Sequence, residues 1–265
     1  MLQRLDGLRS EVDAHFAPFE RLPMGKYFEQ LLFYILERDE RFEVLVKNHQ
    51  VMRGIETIGE IDLILKDVVT GEIEHWEMAL KYYLQTTASS DHSFMVGPNV
   101  KDDLSKKMKK LTDHQLPLTM DLTTLGISHT QQIRDRLYLK GQFFYHFSYK
   151  TGCYIIPNGA NPMHERGWWC HLSEVEKCLD QNLTWIIIGK PEWIGHSPLS
   201  ENHKQLNYND ICDSLKQHFN LNDSARLCVG STPMNGIWKE QVRVFVVKND
   251  WPSTQKKDLK LCGMD

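Results

Sequence analysis

The sequence lacks several features that mark whole classes of protein. None of its apolar runs approaches the roughly 20 residues that a membrane-spanning helix needs. Its 31 lysines and arginines are outnumbered by 35 aspartates and glutamates, so the chain is not a polybasic nucleic-acid binder. Internal repeats and low-complexity tracts are also missing. A membrane protein and a repeat protein are therefore not expected, and any site for a polyanion must be local.

Paired cysteines are absent too. The six cysteines contain no Cys-x-x-Cys pair and no spacing typical of a small disulfide-bonded domain, so we expect reduced thiols. The first residues are too charged for a secretory signal, and we expect a soluble, cytoplasmic protein with no membrane partner. All six cysteines, and every tryptophan except Trp76, lie beyond residue 150. This change in composition suggests two parts, residues 1–150 and residues 151–265.

Periodicity predicts a chain that mixes helices and strands around a core for which 41% hydrophobic residues are sufficient. Helices are expected at residues 4–18, for about four turns from Gly25, at His129–Leu139 and at Tyr208–Phe219. Strands are expected at Phe42–Val46, in QFFYHFSY after Gly141, and in WWCHL, TWIIIGK, ARLCVG and QVRVFVVK.

The stretch from Gly59 to Lys81, GEIDLILKDVVTGEIEHWEMALK, carries the clearest chemical pattern. Two apolar alternations flank a turn signal, the Thr-Gly pair. Successive side chains of a strand point to opposite faces, so Glu60 and Asp62 share one face of the first strand. Glu77 and Lys81 likewise share one face of the second. Two acids and a lysine therefore recur at period two.

Counting back from the turn places these groups close together. Asp62 falls opposite Glu77 or Ala79, within cross-strand reach of Glu77 and Lys81. Such a set is suited to a divalent metal beside an ammonium group. A helix is the competing interpretation, because the apolar residues of EHWEMALKYYLQ also fall at helical spacing and Glu77 and Lys81 would form an i,i+4 pair. The turn signal and the alternation of GEIDLIL favour the strand.

A lysine-rich helix is expected after the punctuation of Gly97, Pro98 and Asn99. The segment KDDLSKKMKKLTDHQL has acids at its start and lysines in its middle, which suits the helix dipole. The densest positive patch of the chain comprises Lys106, Lys107, Lys109 and Lys110. A solvated helix face and a phosphate-contacting face are both compatible with this pattern.

These motifs resemble the core of the PD-(D/E)xK nuclease superfamily, in particular a bacterial branch that reads GEIDLI before an apolar strand. A Gly-x-x-x-Glu helix precedes the first strand in those proteins and is matched by Gly25 and Glu29. The resemblance covers residues 25–115. It implies an α/β (α+β) restriction-endonuclease-like core in the order helix-strand-strand-strand-helix-strand, with a C-terminal α+β extension.

A second resemblance covers most of the chain. The segment HWEMALKYYL and the Gly-Pro-Asn lead into the lysine helix are similar to an uncharacterised bacterial family, the domain of unknown function 1853 family.

The nuclease resemblance implies Mg²⁺-assisted hydrolysis of phosphodiester bonds in nucleic acid, with DNA expected ahead of RNA and with Mn²⁺ able to replace Mg²⁺. Asp62, Glu77 and the backbone carbonyl of Met78 would hold the metal. Lys81 would position the attacking water or offset charge on the phosphate. The four lysines of the helix would bind the nucleic-acid backbone.

Two further acids and one departure complete the comparison with the superfamily. Glu60 would be another ligand or a nearby acid, and Glu29 would orient a ligand or a water. The superfamily lysine, however, falls on Ala79, and Lys81 lies about 6.6 Å further along the strand. Three functions stay open: an active nuclease, an inactive nuclease fold that binds nucleic acid, and a protein-interaction or structural module without metal.

Three weaker patterns lie beyond residue 150. They are a cysteine and histidine set at His164, Cys170, His171 and Cys178, a tryptophan pair at Trp168 and Trp169, and a histidine and serine group at His196, Ser197 and His203. The first set fits no common zinc spacing, so core cysteines are expected instead. The tryptophans could stack on bases, but core packing is the commoner role. The third group has no acid partner for a catalytic triad.

Overall fold

The computed structural model describes residues 9–121, 132–152, 154–195 and 203–252. The chain is a mixed α+β protein with a mixed sheet of nine strands and a few helices. None of the helices in the described ranges is long and apolar enough to cross a membrane. The chain divides into two compact units, Met1–Lys81 with Met108–Lys140, and Tyr82–Lys107 with Gly141–Asp265. The parts 1–150 and 151–265, expected from composition, stay a prediction.

The helices and strands have the following bounds. The α-helices are α1 (Arg9–Phe16), α2 (Met24–Leu36), α3 (Leu104–Lys110), α4 (Val175–Cys178) and α5 (Tyr208–Leu221). The strands are β1 (Phe42–Arg53), β2 (Glu56–Asp67), β3 (Ile73–Gln85), β4 (Met95–Val96), β5 (Ile133–His146), β6 (Arg166–His171), β7 (Thr184–Ile188), β8 (Arg226–Met234) and β9 (Ile237–Val247). Short 3-10 helices span Ala17–Phe19, His92–Phe94, Leu116–Asp121, Phe147–Thr151, Leu172–Glu174 and Pro191–Trp193, and a π-helical turn spans Leu111–Gln115.

The hairpin expected between the two acidic runs is confirmed in the first unit. β2 pairs antiparallel with β1 on one side and with β3 on the other. In the turn, Asp67 Oδ1 accepts the backbone N–H groups of Val69 at 2.9 Å and Thr70 at 3.3 Å. Gly71 has a φ of 74°, a conformation that glycine adopts without strain. The turn residues therefore set the register of the hairpin.

The helical alternative for the second run is wrong, because Ile73–Gln85 is a strand. Its Trp76 ring stacks on Tyr138 of β5 with the ring centroids 5.1 Å apart and meets Phe42 of β1 edge-on at 6.0 Å. Pairing with neighbouring strands and aromatic contacts on both sides outweigh the helix propensity of Met, Ala and Leu.

The helix expected at His129–Leu139 is also wrong where the structure describes it. Residues 129–131 lie outside the described part, and β5 begins at Ile133. Arg136 on β5 lies 2.7 Å from Glu74 on β3, and Asp135 lies 2.9 Å from His75. These cross-strand pairs hold the segment extended, which periodicity within the segment could not reveal.

The second unit contains β6 to β9, which lie where strands were predicted, and the two-residue β4, which was not predicted. From Gly141 onward β5 pairs parallel with β6, and β6 pairs parallel with β9. β8 lies antiparallel between β9 and β7. The unit's core includes the apolar face of α5, and the four cysteines described, Cys170, Cys178, Cys212 and Cys228, are free and buried. The expectation of core cysteines is therefore confirmed for these four.

Candidate functional site

Asp62 on β2 and Glu77 on β3 lie on neighbouring strands, close enough for the charge of Glu77 to act on Asp62. The antiparallel pairing of the two strands runs from Lys66 opposite Ile73 to Leu63 opposite Trp76, immediately before these two residues. The backbone N–H of Met78 donates to Asp62 Oδ2 at 2.8 Å, so a side chain of β2 replaces a backbone acceptor at this point. Both acids are buried, Asp62 at 8% exposed and Glu77 at 0%. The sequence-predicted pair is thus brought together.

Glu77 is held by the fully buried His75. His75 Nε2 lies 3.1 Å from Glu77 Oε1, and His75 Nδ1 lies 2.9 Å from Asp135 Oδ1. Ionised carboxylates only accept hydrogen bonds, so both contacts are donated when the ring is protonated. Burial lowers the pKa of His75, but the bonds to Glu77 and Asp135 raise it, and the net change is upward. The two bonds therefore favour the protonated ring, and His75 orients Glu77.

The second carboxylate oxygen of Glu77 is the unusual atom of the site. Glu77 Oε2 is buried and has no hydrogen-bond partner among the residues that the structure describes. A buried polar atom without a partner is costly, and a carboxylate more so than a neutral group. A bound cation would remove that cost.

The pKa of Asp62 is raised, which favours the neutral carboxylic acid. Burial, followed by the negative charge of Glu77, raises its pKa from 3.8 to about 7. The N–H of Met78 and the charge of Lys26 oppose this change, while Glu29 adds to it. A buried carboxyl group with a raised pKa is a common feature of sites that bind a cation or move a proton.

Glu29 on α2 and Glu60 on β2 lie at the rim and share one lysine. Lys26 Nζ is 2.7 Å from Glu29 Oε2 and 3.0 Å from Glu60 Oε1. Burial raises the pKa of Glu29; Lys26 lowers it, and the charges of Glu60 and Glu77 raise it further. Glu29 is therefore electrostatically linked to the buried acids, although both rim acids are engaged by Lys26.

The donor set fits a magnesium site with few protein ligands. Mg²⁺ binds hard oxygen atoms and is satisfied by one or two carboxylates with waters, which Asp62 and Glu77 can supply. No third ligand side chain joins Asp62 and Glu77 among the described residues. A group of three, with all ligand atoms within 4.8 Å of one another, occurs in the second unit instead. The orphaned Glu77 Oε2 is the atom that such a metal would satisfy.

Lys81 and Ala79 occupy the same strand face as Glu77. Strand alternation from Glu77 brings Ala79 and then Lys81 to that face. Ala79 is buried and Lys81 is half-buried. The ammonium group is therefore carried by the same strand as Glu77, two strand repeats further on.

The four lysines lie on α3, as expected. Lys106, Lys109 and Lys110 are exposed and Lys107 is half-buried. Lys106 Nζ forms an ion pair with Asp103 Oδ2 at 3.0 Å, which offsets part of its charge. The helix is confirmed, and its role in binding nucleic acid stays a prediction.

The sequence patterns missed three residues of the acidic site, Lys26, His75 and Asp135. Two of them had usable signals: His75 lies two residues before Glu77 on the same strand face, and Lys26 lies three residues before Glu29 on a helix. Asp135 had none, because its segment was interpreted as a helix. Of the weaker patterns, His196 and Ser197 lie outside the described residues, and Trp169 is buried.

Comparison with known proteins identifies a family for the chain. Neither the curated proteins nor the solved structures contain a significant match. The family model described as Domain of unknown function (DUF1853) matches residues 1–247, well over half of the 265 residues. The chain therefore belongs to the DUF1853 family.

Proposed function

We propose that this chain is a Mg²⁺-dependent nuclease of the PD-(D/E)xK superfamily, with a restriction-endonuclease-like core. The observation that carries the proposal is the buried pair of Asp62 and Glu77 on neighbouring strands, with Glu77 Oε2 lacking a partner among the described residues. The element order α2, β1, β2, β3, α3, β5 matches the order that the superfamily resemblance implies, apart from the two-residue β4.

The residues divide the work of binding. Asp62 and Glu77 would hold the metal, with the backbone carbonyl of Met78 as the third protein ligand. His75 holds Glu77 through Oε1, so that Oε2 would be left to bind the metal. Lys26 keeps the rim acids Glu29 and Glu60 paired, which limits the negative charge that a phosphate must approach.

The reaction is hydrolysis of a phosphodiester. When bound, Mg²⁺ increases the acidity of a water and stabilises charge on the phosphate oxygens. The water oxygen forms a new P–O bond and gives up a proton, the P–O bond to the leaving oxygen breaks, and the leaving oxygen takes up a proton. Lys81 lies on the Glu77 face and would offset charge on the phosphate as it becomes five-coordinate. Glu29 would orient a ligand or a water.

A catalytically inactive nuclease fold is the second candidate. Ala79 favours it, because the superfamily lysine is absent from that position and Lys81 is one strand repeat away. An inactive protein would still bind metal and nucleic acid. It would not cleave.

The test combines metal titration with cleavage. Calorimetry with Mg²⁺ on the wild type, Asp62→Asn and Glu77→Gln should show one site in the wild type and none in either variant. Cleavage of plasmid, linear and single-stranded DNA and of RNA should fall by at least about 100-fold in both variants. Lys81→Met should retain metal binding and lose most of the cleavage.

The control is Glu72→Gln, which removes an exposed acid from the turn before β3 and should alter neither metal binding nor cleavage. Metal binding without cleavage by the wild type would select the inactive fold. Metal binding that survives Asp62→Asn and Glu77→Gln in folded variants would disprove the site.

The lysines of α3 give a separate prediction. Replacing both of the exposed residues Lys109 and Lys110 by glutamine should weaken DNA binding. It should also reduce the slope of log K against log salt by about 0.9 for each phosphate that the protein no longer neutralises. Lys106 should contribute less, because Asp103 already pairs with it. Fluorescence anisotropy at several salt concentrations measures the slope. The control with the same charge change is Lys204→Gln with Lys239→Gln, and equal slopes in the two double variants would leave α3 as a solvated face.

A further inference from the structure

A second set of ligand side chains lies in the second unit, apart from the acidic residues described above. His146 and His171 are the last residues of β5 and β6, and Glu174 ends the 3-10 turn that follows β6. β5 and β6 are neighbouring parallel strands, so their last residues, the two histidines, lie at the same end of the sheet. One ligand atom from each of the three residues falls within 4.8 Å of the others. The fold therefore gathers at one point three ligands from two strands and the turn after them.

The distances suit a small transition-metal ion. Glu174 Oε2 lies 3.1 Å from His146 Nε2 and 3.2 Å from His171 Nδ1. Ligand atoms about 2.0–2.1 Å from a tetrahedral zinc are separated by about 3.3 Å, so these contacts need to open by only a few tenths of an ångström.

The outer partner of His171 fixes which of its nitrogens can bind. The carbonyl oxygen of Trp251 lies 2.9 Å from His171 Nε2 and can only accept, so Nε2 carries the hydrogen. In the neutral ring the lone pair is then on Nδ1, which faces the carboxylate of Glu174. Two electron-rich atoms 3.2 Å apart repel each other unless a proton or a cation lies between them. A metal ion at this position would satisfy both.

The remaining contacts complete the arrangement expected around ligating histidines. His146 Nδ1 lies 2.8 Å from Ser148 Oγ, whose hydroxyl can accept a hydrogen from the ring and leave Nε2 for the metal. Glu174 Oε2 also accepts the backbone N–H of His171 at 3.0 Å, which ties the acid to the end of β6.

The exposure and the surroundings of the three side chains suit the binding of an ion from solution. The three side chains are each between 20% and 30% exposed, so an ion can reach them. The buried ring of Trp169 lies against both histidines, with ring centroids 4.7 Å from His146 and 5.1 Å from His171. This apolar wall limits the water around the ligands and strengthens their attraction for a cation.

We propose that His146, His171 and Glu174 form a binding site for Zn²⁺ or a similar divalent transition metal. Two imidazole nitrogens and one carboxylate oxygen are borderline ligands that favour zinc over Mg²⁺, whose preference is for oxygen. Three protein ligands leave at least one coordination position for water. The site joins the ends of two strands to the turn after β6, and it does not depend on the acidic site of the first unit.

The test titrates Zn²⁺ into untagged protein by calorimetry and records the absorption spectrum with Co²⁺ as a probe. The wild type should bind one equivalent with the visible bands of low-coordinate Co²⁺ and without a sulfur-to-metal charge-transfer band, since no cysteine is a ligand. His146→Asn, His171→Asn and Glu174→Gln should each weaken Zn²⁺ binding by more than about 100-fold, because the loss of an outer partner alone costs about 10–100-fold. Ser148→Ala removes only an outer partner and should weaken Zn²⁺ binding by about 10–100-fold.

Two control variants test whether Zn²⁺ binds at these three residues. His92→Asn removes another histidine of the second unit, one that contacts the backbone carbonyl of Asn158, and should leave Zn²⁺ binding unchanged. Asp62→Asn should also leave it unchanged, whatever the outcome of the Mg²⁺ experiment. Circular dichroism establishes that each variant is folded. Unchanged Zn²⁺ affinity in folded His171→Asn and Glu174→Gln, or no Zn²⁺ binding by the wild type, would overturn the proposal and leave a histidine–glutamate ion pair.

Discussion

Replacing Asp62 with asparagine is expected to stabilise the metal-free protein at pH 8 by up to about 4 kcal/mol, the free energy that corresponds to a pKa raised from 3.8 to about 7. Asparagine has nearly the same shape, and its side-chain oxygen can still accept the N–H of Met78. The gain comes from removing a carboxylate that must ionise while buried beside Glu77.

The sign follows from proton binding in the two states. Below about pH 4, Asp62 is protonated both folded and unfolded, and it has no effect on the pH dependence. Between about pH 4 and pH 7 only the folded state keeps the proton, so the free energy of unfolding of the wild type falls by up to about 1.4 kcal/mol per pH unit from this residue. Above about pH 7 both states are ionised and the cost is constant.

Denaturant unfolding in the presence of a chelator, at intervals from about pH 4 to pH 9, measures this difference. The stability of Asp62→Asn minus that of the wild type should rise from near zero at about pH 4 to a plateau above about pH 7. Asp213→Asn, at an exposed position on α5, is the matched control and should show no such rise. A difference that is the same at every pH would mean that Asp62 titrates normally in the folded protein.

Magnesium should reverse part of this cost if the proposed function is correct. At about pH 8, saturating Mg²⁺ should stabilise the wild type by mass action and leave Asp62→Asn unchanged. The acidic pair would then be an example of a functional site that lowers the stability of the empty protein. A pH effect without a Mg²⁺ effect would support the burial of Asp62 beside Glu77 and would contradict metal binding at this site.

Replacing Gly167 with alanine is expected to destabilise the second unit by about 1–3 kcal/mol or more. A Cβ at this position would lie 2.3 Å from Phe144 Cε1 and 2.4 Å from Cδ1, much closer than carbon atoms can approach. Phe144 is fully buried and packs edge-on against Phe245 with the ring centroids 4.6 Å apart, so its ring has no free space to move into. The strain must therefore be taken up by the pairing of β5 with β6.

Thermal unfolding measures the effect, with a fall in melting temperature of about 2–4 °C for each kcal/mol in a protein of this size. The matched control is Gly25→Ala on α2, where no atom lies within 4 Å of the added carbon. Alanine there should be neutral or stabilising by up to about 1 kcal/mol, because glycine is a poor helix former. Equal melting temperatures for the two variants would contradict the packing of Gly167 against Phe144.

The local features of the acidic site were determined by the sequence. Alternation at period two and the Thr-Gly turn were enough to predict the hairpin, because side-chain direction in a strand depends only on position along it. They also placed Asp62 and Glu77 within cross-strand reach of each other. The lysines on one helix followed from helical spacing in the same way.

The partners of those residues were decided only by the tertiary structure. His75 and Asp135 are 60 residues apart and meet because β5 lies beside β3. The same pairing turned a segment with helical periodicity into a strand. His146 and His171 meet because β5 and β6 are parallel neighbours.

The physical reason is the range over which each kind of information acts. Periodicity and turn chemistry describe residues that are neighbours in the chain, so they could place Glu77 and indicate a metal ligand. The protonation of Asp62, the bond that orients Glu77 and the assembly of His146, His171 and Glu174 depend on burial and on contacts between strands that are distant in sequence. Those contacts exist only once the sheet has formed.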